Sequence, residues 1–383
     1  MNVQFVIGQY SPTIGGAEIQ AERLAHHLSR KGISVNVVSS KSSQSKSFVK
    51  KDNVPLHVIG SLPLPLLKRV IFLIKLYCYL NRHKVNYEII HAHQGFEPTY
   101  VAVKVAKKLG KPVIVKIGNS GERFDLKLLS KKFPKTIHSY MSSYIIRNTT
   151  MFVSINSTIR HSLIMLGVPE SKIIKIPNGV STHEFKPSMN KEQLRNQLGI
   201  SPFSYVIINV ANLEPKKNHS VLIKAMRYME TSKENCLLLL LGDGSNRDNL
   251  HKSIIKYGLT ESVIMKGKVK NVKDYLAASD IFVLPSHSEG LSNALLEAMS
   301  TGLPCIVSDI NGNRQVITHN KTGLLFDPDK PRSLYRSIVK VKNDNELYQK
   351  FSKESLNTIQ ASYEINLIAD KYCYLYNKVL YTG

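Results

Sequence analysis

Short apolar runs alternate with helical stretches along this chain, and the alternation occurs twice. Residues 3–7 form an apolar run that leads to Gly15-Gly16 and then to a helical stretch over 17–31, closed by Gly32. Further short apolar runs follow at 35–39, 88–92, 112–117 and 151–155. A second series occupies 205–210, 236–241, 263–265, 281–284 and 304–307. A parallel strand is covered on both faces, so it reads as a continuous apolar run, and strands alternating with helices build parallel sheets. Two series predict two doubly wound α/β domains, and 383 residues of 43% hydrophobic content suit two cores. The expected boundary is the turn Ile176-Pro177-Asn178-Gly179-Val180, followed by polar residues to Asn190. This gives domains at 1–180 and 181–360, with a tyrosine-rich final helix from about residue 361. The Ser/Lys run at 39–51 is expected to be a loop.

Charge separates the two halves. The net charge is +24, and residues 1–180 hold 26 Lys and Arg against 8 Asp and Glu, whereas 181–383 hold 26 against 20. The basic field over the first half favours an anionic partner: nucleic acid, an anionic membrane surface or a phosphorylated acceptor. The four cysteines, Cys78, Cys236, Cys305 and Cys373, form no C-x-x-C pair and have no metal-spaced histidines, which points to a reducing compartment and away from a zinc site. Residues 1–7 carry no basic n-region and read as a buried first strand rather than a leader. The longest apolar stretch, 62–80, contains Pro63, Pro65, Lys68, Arg69 and Lys75, which suits a core helix with a basic edge on a membrane surface better than a membrane span.

The densest chemical signal runs from Ser286 to Met299. Glu289-Gly290-Leu291-Ser292 directly follows the strand at 281–284. A glycine in that turn lets a ligand approach the backbone, Ser292 or Asn293 can cap the next helix, and free amides at a helix start bind phosphate. Glu297, about one turn into that helix, has the carboxylate chemistry to accept two hydrogen bonds from a ribose diol. The same residue types also make an ordinary capped helix with two surface glutamates. Gly15-Gly16 likewise permits a phosphate or sugar to approach a helix start, or simply connects a strand to a helix. His93 ends a strand, a position that serves either packing or substrate contact.

As an ordered set, these segments resemble the retaining glycosyltransferase family 4. The family's donor signature, a glutamate, seven residues and a second glutamate, is matched by Glu289 and Glu297. Gly15-Gly16-Ala17-Glu18, the 176–180 turn, Leu213-Glu214-Pro215-Lys216-Lys217-Asn218, Gly242-Asp243-Gly244 and Gly302-Leu303-Pro304 follow the family's order. The resemblance implies a GT-B fold, two Rossmann-like domains facing each other across a cleft, with the last helix crossing back to the first domain. It implies a nucleotide-sugar donor, UDP-sugar favoured, held on the C-terminal domain by Lys217, Glu289, Gly290, Leu291, Ser292 and Glu297, with Gly15 and Gly16 near it. The nucleobase is expected against backbone around 266–270. Glu289 and His93 are the expected catalytic residues, and the mechanism is expected to retain anomeric configuration.

Two departures from the family pattern stand out. Asn212 occupies the position where the family usually has an arginine, so one bidentate cation is missing and Lys216 is a candidate substitute. The strand at 112–117 is followed by Gly118-Asn119-Ser120-Gly121-Glu122 without the usual histidine, which leaves Asn119, Ser120 and Glu122 as candidates to line the acceptor site. No metal or other cofactor is expected, and no Asp-x-Asp pair is read as holding a cation between phosphates. The expected partners are the donor and a glycan or polyprenyl-diphosphate-linked acceptor at an anionic membrane surface, and the expected location is cytoplasmic, peripheral at the inner face of the membrane. The implied process is bacterial surface polysaccharide synthesis, such as capsule or O-antigen. A GT-B nucleotide-sugar epimerase is the alternative enzyme class. A basic nucleic-acid-binding protein is the alternative non-enzyme, disfavoured by the lack of tryptophan and of a nucleic-acid motif.

Overall fold

The computed structural model describes every residue except 9–14, 41–47, 52–53, 61–64, 120–123, 132–133, 203 and 382–383. The chain forms two compact units, Met1–Gly179 with Ile365–Gly383, and Val180–Glu364.

The first unit is built on an eight-stranded sheet. Its strands are β1 (Asn2–Ile7), β2 (Ser34–Ser40), β3 (Phe48–Lys51), β4 (Val54–Ile59), β5 (Ile89–His93), β6 (Val113–Ile117), β7 (Met151–Ser154) and β8 (Ile173–Lys175), in the order β3-β4-β2-β1-β5-β6-β7-β8. All pairs are parallel except β3 with β4. β5 and β6 are buried along their whole length, as strands covered by helices on both faces must be. The helix Ile365–Tyr381 packs into this core through Ile365, Ile368, Ala369, Tyr372, Leu375, Tyr376 and Val379, a spacing that keeps one helical face apolar. The turn at Gly179 is held by Gln20, whose amide donates to the Gly179 carbonyl at 2.9 Å and accepts from its N–H at 3.1 Å.

The second unit carries a six-stranded parallel sheet. Its strands are β9 (Tyr205–Val210), β10 (Cys236–Leu241), β11 (Val263–Gly267), β12 (Ile281–Leu284), β13 (Cys305–Ser308) and β14 (Leu324–Phe326), in the order β11-β10-β9-β12-β13-β14. The order reverses between β9 and β12, as it does between β1 and β5 in the first unit. Such a switch point opens a crevice at the carboxyl ends of the strands, where open α/β sheets bind ligands.

Four strands are additional to those read from the sequence: β3, β4, β8 and β14. β4 contains Pro55, which would break a central ladder; here Pro55 pairs only with Lys50 of β3, because pairing with β2 begins at Leu56. The expected 39–51 loop is corrected accordingly: residues 48–51 form an edge strand, and 41–47 lie outside the described residues. The expected final helix, from about residue 361, starts four residues later, separated by a break from the helix before it. One helix ends at Ser362, and the next starts at Ile365. The break follows from the bond of Val180 N–H to the Tyr363 carbonyl and a parallel bridge between Val180 and Glu364, which take those residues out of the helical ladder.

β12 is anchored at its start by a buried polar knot. Arg195 donates to Asp280 Oδ2 at 2.5 Å, to the Ala278 carbonyl at 2.9 Å, and to the carbonyls of Pro202 and Ser204. Asp280 also accepts from Lys191 and from Val206 N–H, each at 2.6 Å. The knot ties β9 to β12, the two strands flanking the switch point. Arg195→Met keeps most of the side-chain bulk but leaves three carbonyls and a carboxylate short of a donor. It is expected to cost about 3 kcal/mol, read as a lower urea midpoint for the second unit; an unchanged midpoint would show that the knot adds nothing to stability.

Candidate functional site

β9 ends at Val210 and β12 at Leu284, so the loops after them leave the sheet side by side. The loop after β9 carries Lys217 at the end of a short 3-10 turn, Pro215–Lys217. Asn218 then adopts a left-handed conformation with φ 53°, which asparagine tolerates better than most residues. Its side-chain amide donates to the Pro328 carbonyl at 2.9 Å, which fixes the turn. The loop after β12 is tied back to the first by a bond from His287 N–H to the Lys216 carbonyl at 2.9 Å.

These loops bring together two residues 72 positions apart in sequence. Lys217 Nζ lies 2.6 Å from Glu289 Oε1, with the lysine side chain 17% and the glutamate 10% exposed. An ion pair this sheltered is screened much less than a surface pair. Gly290 and Leu291 complete the turn. Ser292 is the helix N-cap: its hydroxyl accepts from Leu295 N–H at 3.4 Å. Glu297 lies in the helix Asn293–Ser300 and is buried. A capped helix start, a lysine and a carboxylate therefore stand in one loop region, with Glu297 about one turn into the helix. His219, the first residue of the next helix, is fully buried; burial, aided by the nearby Lys217 charge, lowers its pKa to about 4, so the ring is neutral at pH 7.

Two close backbone approaches support the loops. A Cβ on Gly312 would stand 2.3 Å from the Glu289 carbonyl oxygen, so only glycine lets the segment after β13 pack against the Glu289 turn. Gly242, with φ 139°, would place a Cβ 1.9 Å from the Ala211 carbonyl oxygen and so brings the loop after β10 against the loop after β9. Gly242 N–H in turn donates to the Gly267 carbonyl at 2.8 Å, reaching the 266–270 segment. Gly312 is absent from the sequence-predicted set; its signal is a glycine opening the short helix Asn311–Arg314 soon after a parallel strand.

Other candidates are arranged differently. Asn212 is exposed in the loop after β9, and its carbonyl accepts from Glu214 N–H at 2.8 Å. Lys216, a candidate substitute for the missing arginine, is paired with Glu214 at 3.2 Å. An Asp-x-Asp does occur, Asp327-Pro328-Asp329, beside Asn218. Asp327 is paired with Lys330 at 2.9 Å and accepts from Asp329 N–H at 3.0 Å, which together depress its pKa. Among the described residues, no group of three or more His, Cys, Asp or Glu side chains could hold a metal ion.

In the first unit, Gly15 is the N-cap of the helix Gly16–Arg30 and offers no side chain for capping. Glu18 folds back toward it, so that a Cβ on Gly15 would lie 2.1 Å from the Glu18 carboxylate, and burial raises the Glu18 pKa. His93 ends β5, buried against Phe5, with ring centroids 4.8 Å apart, and stacked on His91 at 4.4 Å. Asn119 donates to Asp125 Oδ1 at 2.7 Å, and Gly95 N–H donates to Asp125 Oδ2 at 3.2 Å. Burial raises Asp125 to about 6, so this carboxylate bridges the loops after β5 and β6. Ser120 and Glu122 lie outside the described residues. Lys116, absent from the predicted site residues, is buried on β6, and burial lowers its pKa to about 8. A lysine inside an otherwise apolar strand was the available signal.

Two family models match the chain, Glycosyltransferase Family 4 over residues 14–184 and Glycosyl transferases group 1 over residues 190–358. An Escherichia coli relative, UDP-Gal:alpha-D-GlcNAc-diphosphoundecaprenol alpha-1,3-galactosyltransferase, is 29% identical over 376 residues, covering 96% of this chain and 95% of its own. Anabaena HepE, solved in complex with UDP-glucose, superposes with a TM-score of 0.83 at 19% identity, covering 99% of this chain and all of its own. Sucrose-phosphate synthase from Thermosynechococcus elongatus gives a TM-score of 0.84 at 18% identity, covering both chains fully. With the two models spanning residues 14–184 and 190–358 and both units sharing the fold of these solved structures, the chain belongs to the family 4 glycosyltransferases of GT-B fold.

Proposed function

We propose that this enzyme transfers a hexose or N-acetylhexosamine from a UDP-sugar, with retention, to a lipid-linked acceptor in the assembly of a bacterial surface polysaccharide such as a capsule or O-antigen. The 2.6 Å pairing of Lys217 with Glu289 carries this reading, because it joins a cation suited to a diphosphate with a carboxylate suited to sugar hydroxyls beside a capped helix start. In this reading the donor diphosphate displaces Glu289 from Lys217, and the freed carboxylate orients the transferred sugar. The lysine and the helix amides then stabilise the charge that develops on the leaving UDP, the term that dominates most such barriers. Glu297 holds the ribose. His93 and Asn119, with Ser120 and Glu122, belong to the acceptor side. The name of the Escherichia coli relative supports both the UDP donor and the diphospholipid acceptor.

A basic, aromatic surface supports work at an anionic membrane. Tyr100 and Tyr144 lie 5.3 Å apart on neighbouring helices, with Lys104 over the first ring and Lys107 over the second. Ile137 and Tyr140 on the helix Lys135–Asn148, and Val70 and Ile74 on the helix Pro65–Arg82, are each more than half exposed. Tyrosine with lysine beside exposed aliphatics suits the interface between headgroups and acyl chains. Among the described residues, no helix is long and apolar enough to cross a membrane.

Substitution of the two glutamates separates their roles. Ribose does not react, so its contact is about equal in the ground and transition states: Glu297→Gln is expected to raise the donor KM more than it lowers kcat. Glu289→Gln is expected to lower kcat by about 100-fold, as loss of an electrostatic contact made in the transition state does. Steady-state kinetics on folded variants checks this, and a reversed pattern would exchange the assignments. Turnover is expected to survive excess EDTA, since Lys217 and the helix start hold the diphosphate; activity lost to EDTA and restored by magnesium or manganese would show that a cation replaces the arginine missing at Asn212. Co-sedimentation should detect binding to anionic but not neutral vesicles, weakening as salt screens charges beyond about 10 Å at 0.1 M. Equal binding to both vesicle types would remove the electrostatic account.

A further inference from the structure

Under the helix Ile365–Tyr381, the sheet of the first unit carries a polar cluster that folding does not require. His91 and His93 on β5 and Lys116 on β6 share one face of the sheet, Lys116 lying beside His93 in register. Tyr372 and Tyr376 cover them from the helix. The His91 ring bonds the Tyr376 hydroxyl through Nδ1 at 2.7 Å, and Lys116 Nζ lies 5.8 Å from the centre of the Tyr372 ring. Nε2 of both histidines and the Tyr372 hydroxyl are buried without a hydrogen-bond partner. Buried polar groups are nearly always satisfied, so three orphans around one lysine need an explanation.

Lys116 needs one most. A buried ammonium is costly unless paired, and Lys116 has no acidic partner among the described residues. The carboxyl group of Asp125, between the loops after β5 and β6, is committed to Asn119 and Gly95. Burial keeps both imidazoles neutral, and the two tyrosines keep their protons, so lysine supplies the only charge in the cluster. Lys116 and His93 retain 6% and 5% exposure, whereas His91 and Tyr372 have none. The little exposure the cluster has therefore lies at its Lys116–His93 end, which is the carboxyl end of β5 and β6, beside the switch point between β1 and β5.

We propose that Lys116, supported by His93, is a specificity-determining residue of the acceptor site that binds a phosphate group of the acceptor. This deepens the acceptor reading given under Proposed function and rests on it. A phosphate oxygen supplies both the missing countercharge and the acceptor lone pairs that a lysine and an imidazole N–H lack. A sheltered cation also discriminates against a neutral acceptor, because without the anion the charge stays buried and unpaired.

The test compares wild type with Lys116→Met and Lys116→Arg, using a short-chain alkyl sugar diphosphate and the matching neutral alkyl glycoside as acceptors. For Lys116→Met the KM for the diphosphate acceptor should rise about tenfold or more, as loss of a charge-assisted contact does. The donor KM should stay within about twofold, and the preference over the neutral glycoside should vanish. Thermal unfolding of this variant should be unchanged or higher, because an unpaired buried charge is gone; Lys116→Arg should retain most of the preference. In wild type the diphosphate KM should rise as pH passes about 8, where Lys116 loses its proton, and Lys116→Arg should abolish that rise. A folded Lys116→Met enzyme with an unchanged diphosphate KM, or an equal loss with both acceptors, would overturn the proposal. Calorimetric binding of pyrophosphate in saturating UDP tests the lysine separately: wild type should bind and Lys116→Gln should not, and equal binding overturns the anion site. Wild type that binds pyrophosphate there but glycosylates neither acceptor would instead refute the acceptor class and leave the anion site standing.

Discussion

Burying a parallel sheet on both faces leaves only one place for chemistry. Helices cover the apolar faces, so polar groups that must meet a ligand collect in the loops at the carboxyl ends of the strands. In the second unit this puts the segments after β9 and β12 side by side at the point where strand order reverses. Lys217 and Glu289 meet there because their strands are neighbours, although 72 residues separate them in the chain. Glycine then sets how closely the loops can nest: Gly312 lies against the Glu289 carbonyl and Gly242 against Ala211. The Arg195–Asp280 knot below them holds β9 and β12 in register.

Charge is handled differently in the two units. In the second, the sheltered cation Lys217 is already paired with a carboxylate, Glu289. In the first, the buried cation Lys116 has tyrosine rings and neutral imidazoles around it and, among the described residues, no acid. The first arrangement suits a ligand that exchanges partners with the protein, whereas the second suits one that brings its own charge. The charge follows the same division: the net +18 of residues 1–180 gives the first half a stronger field for anions than the net +6 of residues 181–383.

Where this chain departs from its family, neighbouring residues have other commitments. Asn212 stands where the family usually has an arginine, and Lys216 is paired with Glu214. The histidine usual after β6 is missing, and the same region carries Lys116 within the strand and Asn119 fastened to Asp125. A lysine in a buried strand and a carboxylate raised to about 6 are environments that burial creates, not properties of the residue types.

The sequence by itself determined the two parallel-sheet units and the start of a helix after the Glu289 turn, because each rests on local pattern: apolar runs, helical spacing, and capping residues at the start of a helix. It left the cap open between Ser292 and Asn293, and the structure selects Ser292. Tertiary structure alone decided which distant groups meet. The Lys217–Glu289 pair depends on strand order, which local pattern does not encode. β4 was hidden by Pro55, tolerated only because its pairing with β2 begins one residue later. The start of the final helix was set by a bridge from Val180, nearly two hundred positions earlier, which no reading of residues 361–379 could reveal. Lys116 acquired its isolation from the helix folded over it, since a charge is buried only when something distant in sequence covers it.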